Sequence, residues 1–228
     1  SVRKIADEII VVNSSGENET FKNLDNVTII DAPVNKTNAS RARNIGFEKS
    51  KYDIILFIDA DVEIAKESIA TTKELSENLK ENEIVSGIYQ TSKKLGKISN
   101  INNLILQYRL QNINQSQKIK LIYSSHFLIH RNLFDEIGGF NESLNTYEDV
   151  DFFIRAQKLC DSKIQLSSNF KTLHHKNYTF ISFFAEIIKK TFNATVAKLD
   201  NKSLFKDATF LINWKINLIP LPILFSII

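Results

Sequence analysis

The chain has 228 residues, enough for one large domain or two small ones, and 43% of them are hydrophobic, which supplies a sizeable core. A formal charge of only +3, with lysine and arginine scattered along the chain, argues against a dedicated nucleic-acid binder. The single Cys160 rules out an internal disulfide or a cysteine-built zinc site, and no basic leader with a short apolar stretch opens the sequence.

A β-branched run at 8–12 predicts a strand that stops at the turn-forming cluster Asn13-Ser14-Ser15-Gly16. A second strand is expected at 27–30 and a helix at 39–50. Ile54, Ile55, Leu56, Phe57 and Ile58 then form an apolar run suited to the interior of a parallel sheet, and it ends abruptly on Asp59 and Asp61. A helix follows at 65–80 with Ile69, Leu75 and Leu79 inward, then a strand at 84–89. Residues 92–120 suggest a helix with polar flanks, 123–130 a strand, and 131–140 a short helix stopped by Gly138-Gly139. A further helix runs from Glu148 to Leu159. Strands alternating with helices at this spacing imply an α/β fold, a doubly wound and mainly parallel sheet flanked by helices.

Toward the end, a helix over 178–199 gathers Ile181, Phe184, Ile187, Ile188, Phe192 and Leu199 roughly on one face, with Lys189, Lys190 and Lys198 toward the others. It reads as a core-facing helix or as one lying on a bilayer. The stretch 211–228 is strongly apolar but holds Asn213, Lys215, Asn217, Pro220 and Pro222, so it reads as the beginning of a membrane segment or as an interfacial one.

Two acidic groups carry the chemistry. Asp59 and Asp61 emerge at the carboxyl edge of a strand, where open α/β sheets bind ligands, and their hard oxygens suit Mg²⁺ or Mn²⁺ bridged to a diphosphate. The structural alternative is that Asp59 ends the strand and Asp61 caps a helix. Glu148, Asp149 and Asp151 open the second acidic segment; Thr146, three residues before Asp149, resembles a capping box, so part of that acidity can be structural.

Five segments in one consistent order resemble the family 2 glycosyltransferases of GT-A fold: IIVVNSSGENET (9–20), ASRARNIGFEKSKYDIILFIDADV (39–62), SSHFLIHRNLFDEIGGFNESL (124–144), YEDVDFFIRAQKL (147–159) and HHKNYT (174–179). The resemblance implies a nucleotide-sugar donor, UDP-linked first of all, and a glycan or lipid-linked acceptor. It assigns Asp61, Asp59 and His174 to a Mn²⁺ or Mg²⁺ ion, and Asp149 to the role of general base in an inverting transfer, with Glu148 and Asp151 orienting it or the acceptor. Asn13, Ser15, Arg41, Arg43, Asn44 and Asp59 form the expected donor-binding set. The family's turn usually carries aspartates where this chain has Asn13-Ser14-Ser15.

The domain expected from this is 1–176, N-terminally incomplete because the family's first strand and helix are missing, followed by an amphipathic helix and apolar membrane-associated tail at 177–228. The expected setting is the cytoplasmic face of a bacterial inner membrane, in envelope polysaccharide or glycolipid synthesis. Two alternatives compete. A haloacid-dehalogenase-like phosphatase would use Asp59 as nucleophile, and a catalytically degenerate domain would serve as a membrane-associated interaction module. His126 and His130 flank an apolar strand and read as structural or surface residues.

Overall fold

The computed structural model describes residues 2–15, 26–34, 36–116 and 120–200; Gly16 and the apolar stretch 211–228 lie outside the described residues. The elements are β1 (Ile9–Asn13), β2 (Val27–Asp31), α1 (Ala39–Lys49), β3 (Ile54–Ile58), β4 (Val62–Ile64), α2 (Ile69–Glu77), β5 (Glu83–Tyr89), α3 (Lys97–Ser116), β6 (His126–His130), α4 (Arg131–Ile137), α5 (Glu148–Leu159), β7 (Lys163–His174) and α6 (Phe180–Asp200). They divide into two units, Ser1–Ile88 with Ile122–Thr172, and Tyr89–Leu121 with Leu173–Ile228. The second unit thus gathers α3 as well as the C-terminal helix, where the sequence reading separated only 177–228.

β1 and β2 pair in parallel, in register from Ile9↔Val27 to Asn13↔Asp31, so Asn13 and Asp31 end side by side at the carboxyl edge. The other sheet has the order β3-β6-β5-β7-β4. It is not mainly parallel, because β6 runs antiparallel to both its neighbours, β3 and β5. Parallel neighbours need a helical crossover between them. The chain between β5 and β6 instead departs into the second unit.

The first unit's core follows from the apolar run read in the sequence. Cross-strand partners Leu56 and Leu128 join Leu79 and Val85 on one face of the sheet, with Leu75 and Ile54 packed against them. On the other face, Phe57 stacks on its partner Phe127 at 4.9 Å. Phe134 and Phe140 close around Phe57 at 5.2 and 6.0 Å, and Phe152 of α5 stacks on Phe140 at 4.4 Å. Each such pair contributes ~0.5–1.5 kcal/mol beyond its buried area. With Phe47 of α1 packed on Phe134 at 4.2 Å, this phenylalanine cluster fixes α1, α4 and α5 against β3, and so fixes the ends from which the acidic side chains emerge.

α4 stops as expected. Gly138 takes φ +82°, its N–H donates to the Asp135 carbonyl at 2.9 Å, and the Gly139 N–H donates to the Phe134 carbonyl at 3.1 Å. At Gly87 an added Cβ would run into the backbone of Phe170, so β5 and β7 approach too closely for any side chain there.

Candidate active site

Arg43 organises the site. It sits on α1, whose first turn is capped by Asn38: the Asn38 Oδ1 accepts from the Arg41 N–H at 2.9 Å. The Asn38 amide meanwhile donates to the carbonyls of Glu142 and Leu144, which ties the loop before α5 to the same helix. Arg43 is thereby aimed inward. Its Nη2 donates to Asp59 Oδ1 at 2.9 Å, its Nη1 to Glu148 Oε1 at 3.2 Å, and its guanidinium lies 5.2 Å over the Phe140 ring. Burial works against the charge on Arg43, but Asp59 and Glu148 outweigh it and hold the proton more tightly than usual.

Asp59 closes β3, where its N–H donates to the Ser125 carbonyl at 2.8 Å. Its carboxyl is raised above the ordinary range because burial disfavours the anion; Arg43 pulls it back, while Asp61 and Glu148 push it up again. Asp61 follows on the exposed side of the same turn. Asp59 and Asp61 are thus brought together, and Arg43 links them to α5.

At the start of α5 the backbone is strained. Tyr147 holds φ +65°, a left-handed conformation costly for a bulky residue, and the expected Thr146 cap is replaced by this turn, which makes no side-chain capping bond. Asp149 follows, half-buried. The Val150 N–H donates to its Oδ1 at 2.8 Å. A helix N-terminus normally favours an anion. Here burial and the neighbouring Glu148 charge prevail and push the Asp149 carboxyl up to about 7, against the pull of Val150 and Arg43. The result is a carboxyl that changes protonation near neutral pH.

Asp151 is differently placed. It is buried, and Arg155 donates to its Oδ2 from Nε at 2.9 Å and from Nη2 at 2.8 Å. Arg155 also donates to the carbonyls of Ile137 and Gly139, so this pair clamps the glycine loop. Asn44 is a second clamp: its Oδ1 accepts from the Phe140 N–H at 2.9 Å and its Nδ2 donates to the Phe140 carbonyl at 2.9 Å. Both contacts fix Phe140 beneath Arg43.

At the edge of the parallel pair, Asn13 Nδ2 donates to Asp31 Oδ1 at 3.0 Å, and Ser15 donates to Asn13 Oδ1 from its N–H and its hydroxyl. Asp31 was missed in the sequence, where the strand was expected to stop at 30, one residue short of it. The half-buried Arg41 guanidinium makes no hydrogen bond or ion pair among the described residues. His174 ends β7 in the second unit, its ring stacked on Tyr89 at 5.1 Å. No group of three or more His, Cys, Asp or Glu able to hold a metal occurs among the described residues. His126 is fully buried, its ring bonded to Ser125 and Thr172, and His130 bonds the Leu79 carbonyl at 2.9 Å; both are structural.

Residues 4–213 match the family model described as glycosyltransferase like family 2. The chain belongs to this family. That membership sets aside the phosphatase reading of Asp59. Among curated proteins none matches the chain. Three solved structures share the fold of this family 2 glycosyltransferase-like chain. GalNAc-T7 with UDP, GalNAc and Mn²⁺ aligns at TM-score 0.53 and 14% identity over 77% of this chain and 38% of its own. S. aureus TarS 1–349 with UDP aligns at 0.51 and 16%, over 82% of this chain and 55% of its own. The Pyrobaculum calidifontis mannosyltransferase PcManGT with GDP-Man and Mn²⁺ aligns at 0.52 and 14%, over 81% and 51%. The family 2 chain therefore spans between about four and six tenths of the length of these structures.

Proposed function

We propose that this family 2 member transfers a sugar from a nucleotide-sugar donor to an acceptor hydroxyl, with inversion at the anomeric carbon. The observation that carries this reading is the Asp149 carboxyl, raised to about 7 in the turn that Arg43 joins to the end of β3. A base poised near the working pH is both deprotonated often enough and basic enough to act, and contributes roughly 10² to 10⁴ in rate. In this mechanism Asp149 takes the proton of the acceptor hydroxyl as its oxygen bonds to the anomeric carbon. The bond from that carbon to the diphosphate breaks on the opposite side, and the nucleoside diphosphate leaves. Glu148, held by Arg43, orients the acceptor hydroxyl toward Asp149.

On the donor side, Asn13 and Asp31 offer an amide and a carboxylate to the base and ribose, UDP first of all. Arg41 offers its charge to the diphosphate. The carboxylates Asp59 and Asp61 fit a hard cation: few protein oxygens at a strand end, one carboxylate exposed, is the donor set that Mg²⁺ or Mn²⁺ uses when it shares a substrate diphosphate. Asp61, with Asp59 behind it, would hold such an ion, which neutralises charge on the departing diphosphate when bound. As acceptor we propose a glycan or lipid-linked hydroxyl at the cytoplasmic face of a bacterial membrane, in envelope glycan synthesis.

The test is calorimetric titration of UDP and then GDP into the protein, with and without Mn²⁺, beside Asp61→Ala. Binding that requires both Mn²⁺ and Asp61 is expected. Absence of binding under every condition would contradict the reading and favour a catalytically silent module.

A further inference from the structure

The second unit differs from the first in charge. Over its sequence it carries thirteen lysines and arginines against three acidic residues, whereas the first unit carries sixteen against twenty-three. Its long helix α6 is apolar on two sides. One side packs inward: Phe183 is buried against Ile105 of α3, with Ile187 beside them. Glu186 on the same helix is held by Lys176 at 2.7 Å and Lys190 at 2.9 Å. The other side faces outward. Ile181 is 81% exposed, Ile188 68% and Phe192 67%, and with exposed Ala185 they recur at the spacing of one helical face. That stripe is about 17 Å long at the helical rise.

A helix with a second apolar side that its own core does not cover has that side available to lipid or to a partner. No second protein layer covers this stripe among the described residues. Exposed Lys189, with no ion pair among the described residues, borders it. Exposed Leu104 and Tyr108, four residues apart on α3, add apolar surface to the same unit. No helix of the described residues is long and apolar enough to cross a bilayer, and α6 carries Glu186, Lys189 and Lys190 within its length. Such a helix lies in the interface plane. Downstream the sequence continues into the apolar stretch 211–228.

We propose that the second unit docks on an anionic phospholipid bilayer, with Ile181, Ala185, Ile188 and Phe192 of α6 inserted at the acyl boundary and its lysines on the headgroups. Lipid is chosen as the occupant because the excess of positive charge in this unit matches anionic headgroups and repels a second copy of the unit. The inference does not rest on sugar transfer and survives or fails separately from it.

The test is co-sedimentation of the full chain with phosphatidylcholine vesicles, with or without phosphatidylglycerol. Binding to the anionic vesicles, reduced by salt, is expected. Ile188→Ser with Phe192→Ser should weaken it at least about tenfold, since two exposed side chains then lose their apolar insertion. Lys189→Glu should weaken it about fivefold or more. Both variants should keep their circular dichroism and their nucleotide titration, because none of these side chains packs inward. The full chain retains 211–228 in every arm, so the comparison isolates the stripe. The proposal is overturned if the double variant binds vesicles as tightly as the parent. It is equally overturned if the double variant abolishes a lipid-free dimer while vesicle binding is unchanged, which would identify a second copy as the occupant.

Discussion

The end of β3 and the start of α5 each present aspartates two residues apart, and the two regions use them in opposite ways. At β3 the half-buried member, Asp59, is neutralised by Arg43, and the other member, Asp61, is exposed. At α5 the buried member, Asp151, is neutralised by Arg155, while Asp149 shares its turn with Glu148 and is driven toward protonation. Residue type does not set the role of a carboxylate; its nearest cation does. Arg43 holds Asp59 and Glu148, and Arg155 holds Asp151; to Asp61 and Asp149 we assign the ion and the base.

The largest effect that sharpens this contrast is Asp149→Asn. It should lower kcat/KM by ~10² to 10⁴. It should also stabilise the fold at pH 8, by about 1–3 kcal/mol, since a carboxyl raised to about 7 is a strained anion above that pH. The sign follows from proton counting. Between the ordinary carboxylate range and pH 7 the folded chain keeps a proton that the unfolded chain has released, so stability falls as pH rises through that window. Asp149→Asn should flatten the fall in thermal melts recorded from pH 4 to 8. Glu186, lowered to about 2 by Lys176 and Lys190 despite its burial, acts in the opposite sense and at lower pH: its stabilisation is present above about 4.5 and is lost as the pH drops toward 2.

Arg43→Met comes next. It strands Asp59 and Glu148 without their cation and should cost about 3–5 kcal/mol in denaturant melts. A cost below 1 kcal/mol would break the claim that Arg43 unites the two regions. Asp151→Asn should cost about 1–3 kcal/mol while leaving kcat/KM within about threefold at a temperature where the variant is folded. A loss of activity comparable to that of Asp149→Asn would return Asp151 to the chemistry. The smallest expected effect is Gly138→Ala, about 1–2 kcal/mol from its left-handed backbone alone, since nothing lies within 4 Å of the added carbon. Gly139→Ala should cost more, because the same strain is joined by Asn44 Oδ1 at 3.0 Å.

The sequence made the end of β3 legible because an apolar run ending in charge has few other interpretations, and the Gly138-Gly139 stop was legible because helices end that way. β7 was not anticipated. Its face alternates weakly, with only Phe170 and Thr172 fully buried, so KIQLSSNFKTLH reads as polar loop. β4 has three residues, Val62–Ile64, and fell in the short gap between the apolar run ending at Ile58 and the helix expected at 65–80. Within the site, Arg43 was readable by its place in the Ala-Arg-Asn helix, but its partners were not, since a pairing across 105 positions leaves no local trace. Asn44 and Asp151 sat in the right segments and serve to hold Phe140 and the glycine loop instead of facing outward. Spacing locates a polar residue on an element; only packing shows which neighbour consumes its hydrogen bonds.

The most direct measurement is a carbon-detected NMR titration of the aspartate carboxyls, with Asp149 assigned by its disappearance in Asp149→Asn. Asp149 is expected to titrate with a midpoint near 7. A midpoint in the ordinary aspartate range, near 4, would contradict it and leave the transfer without its base.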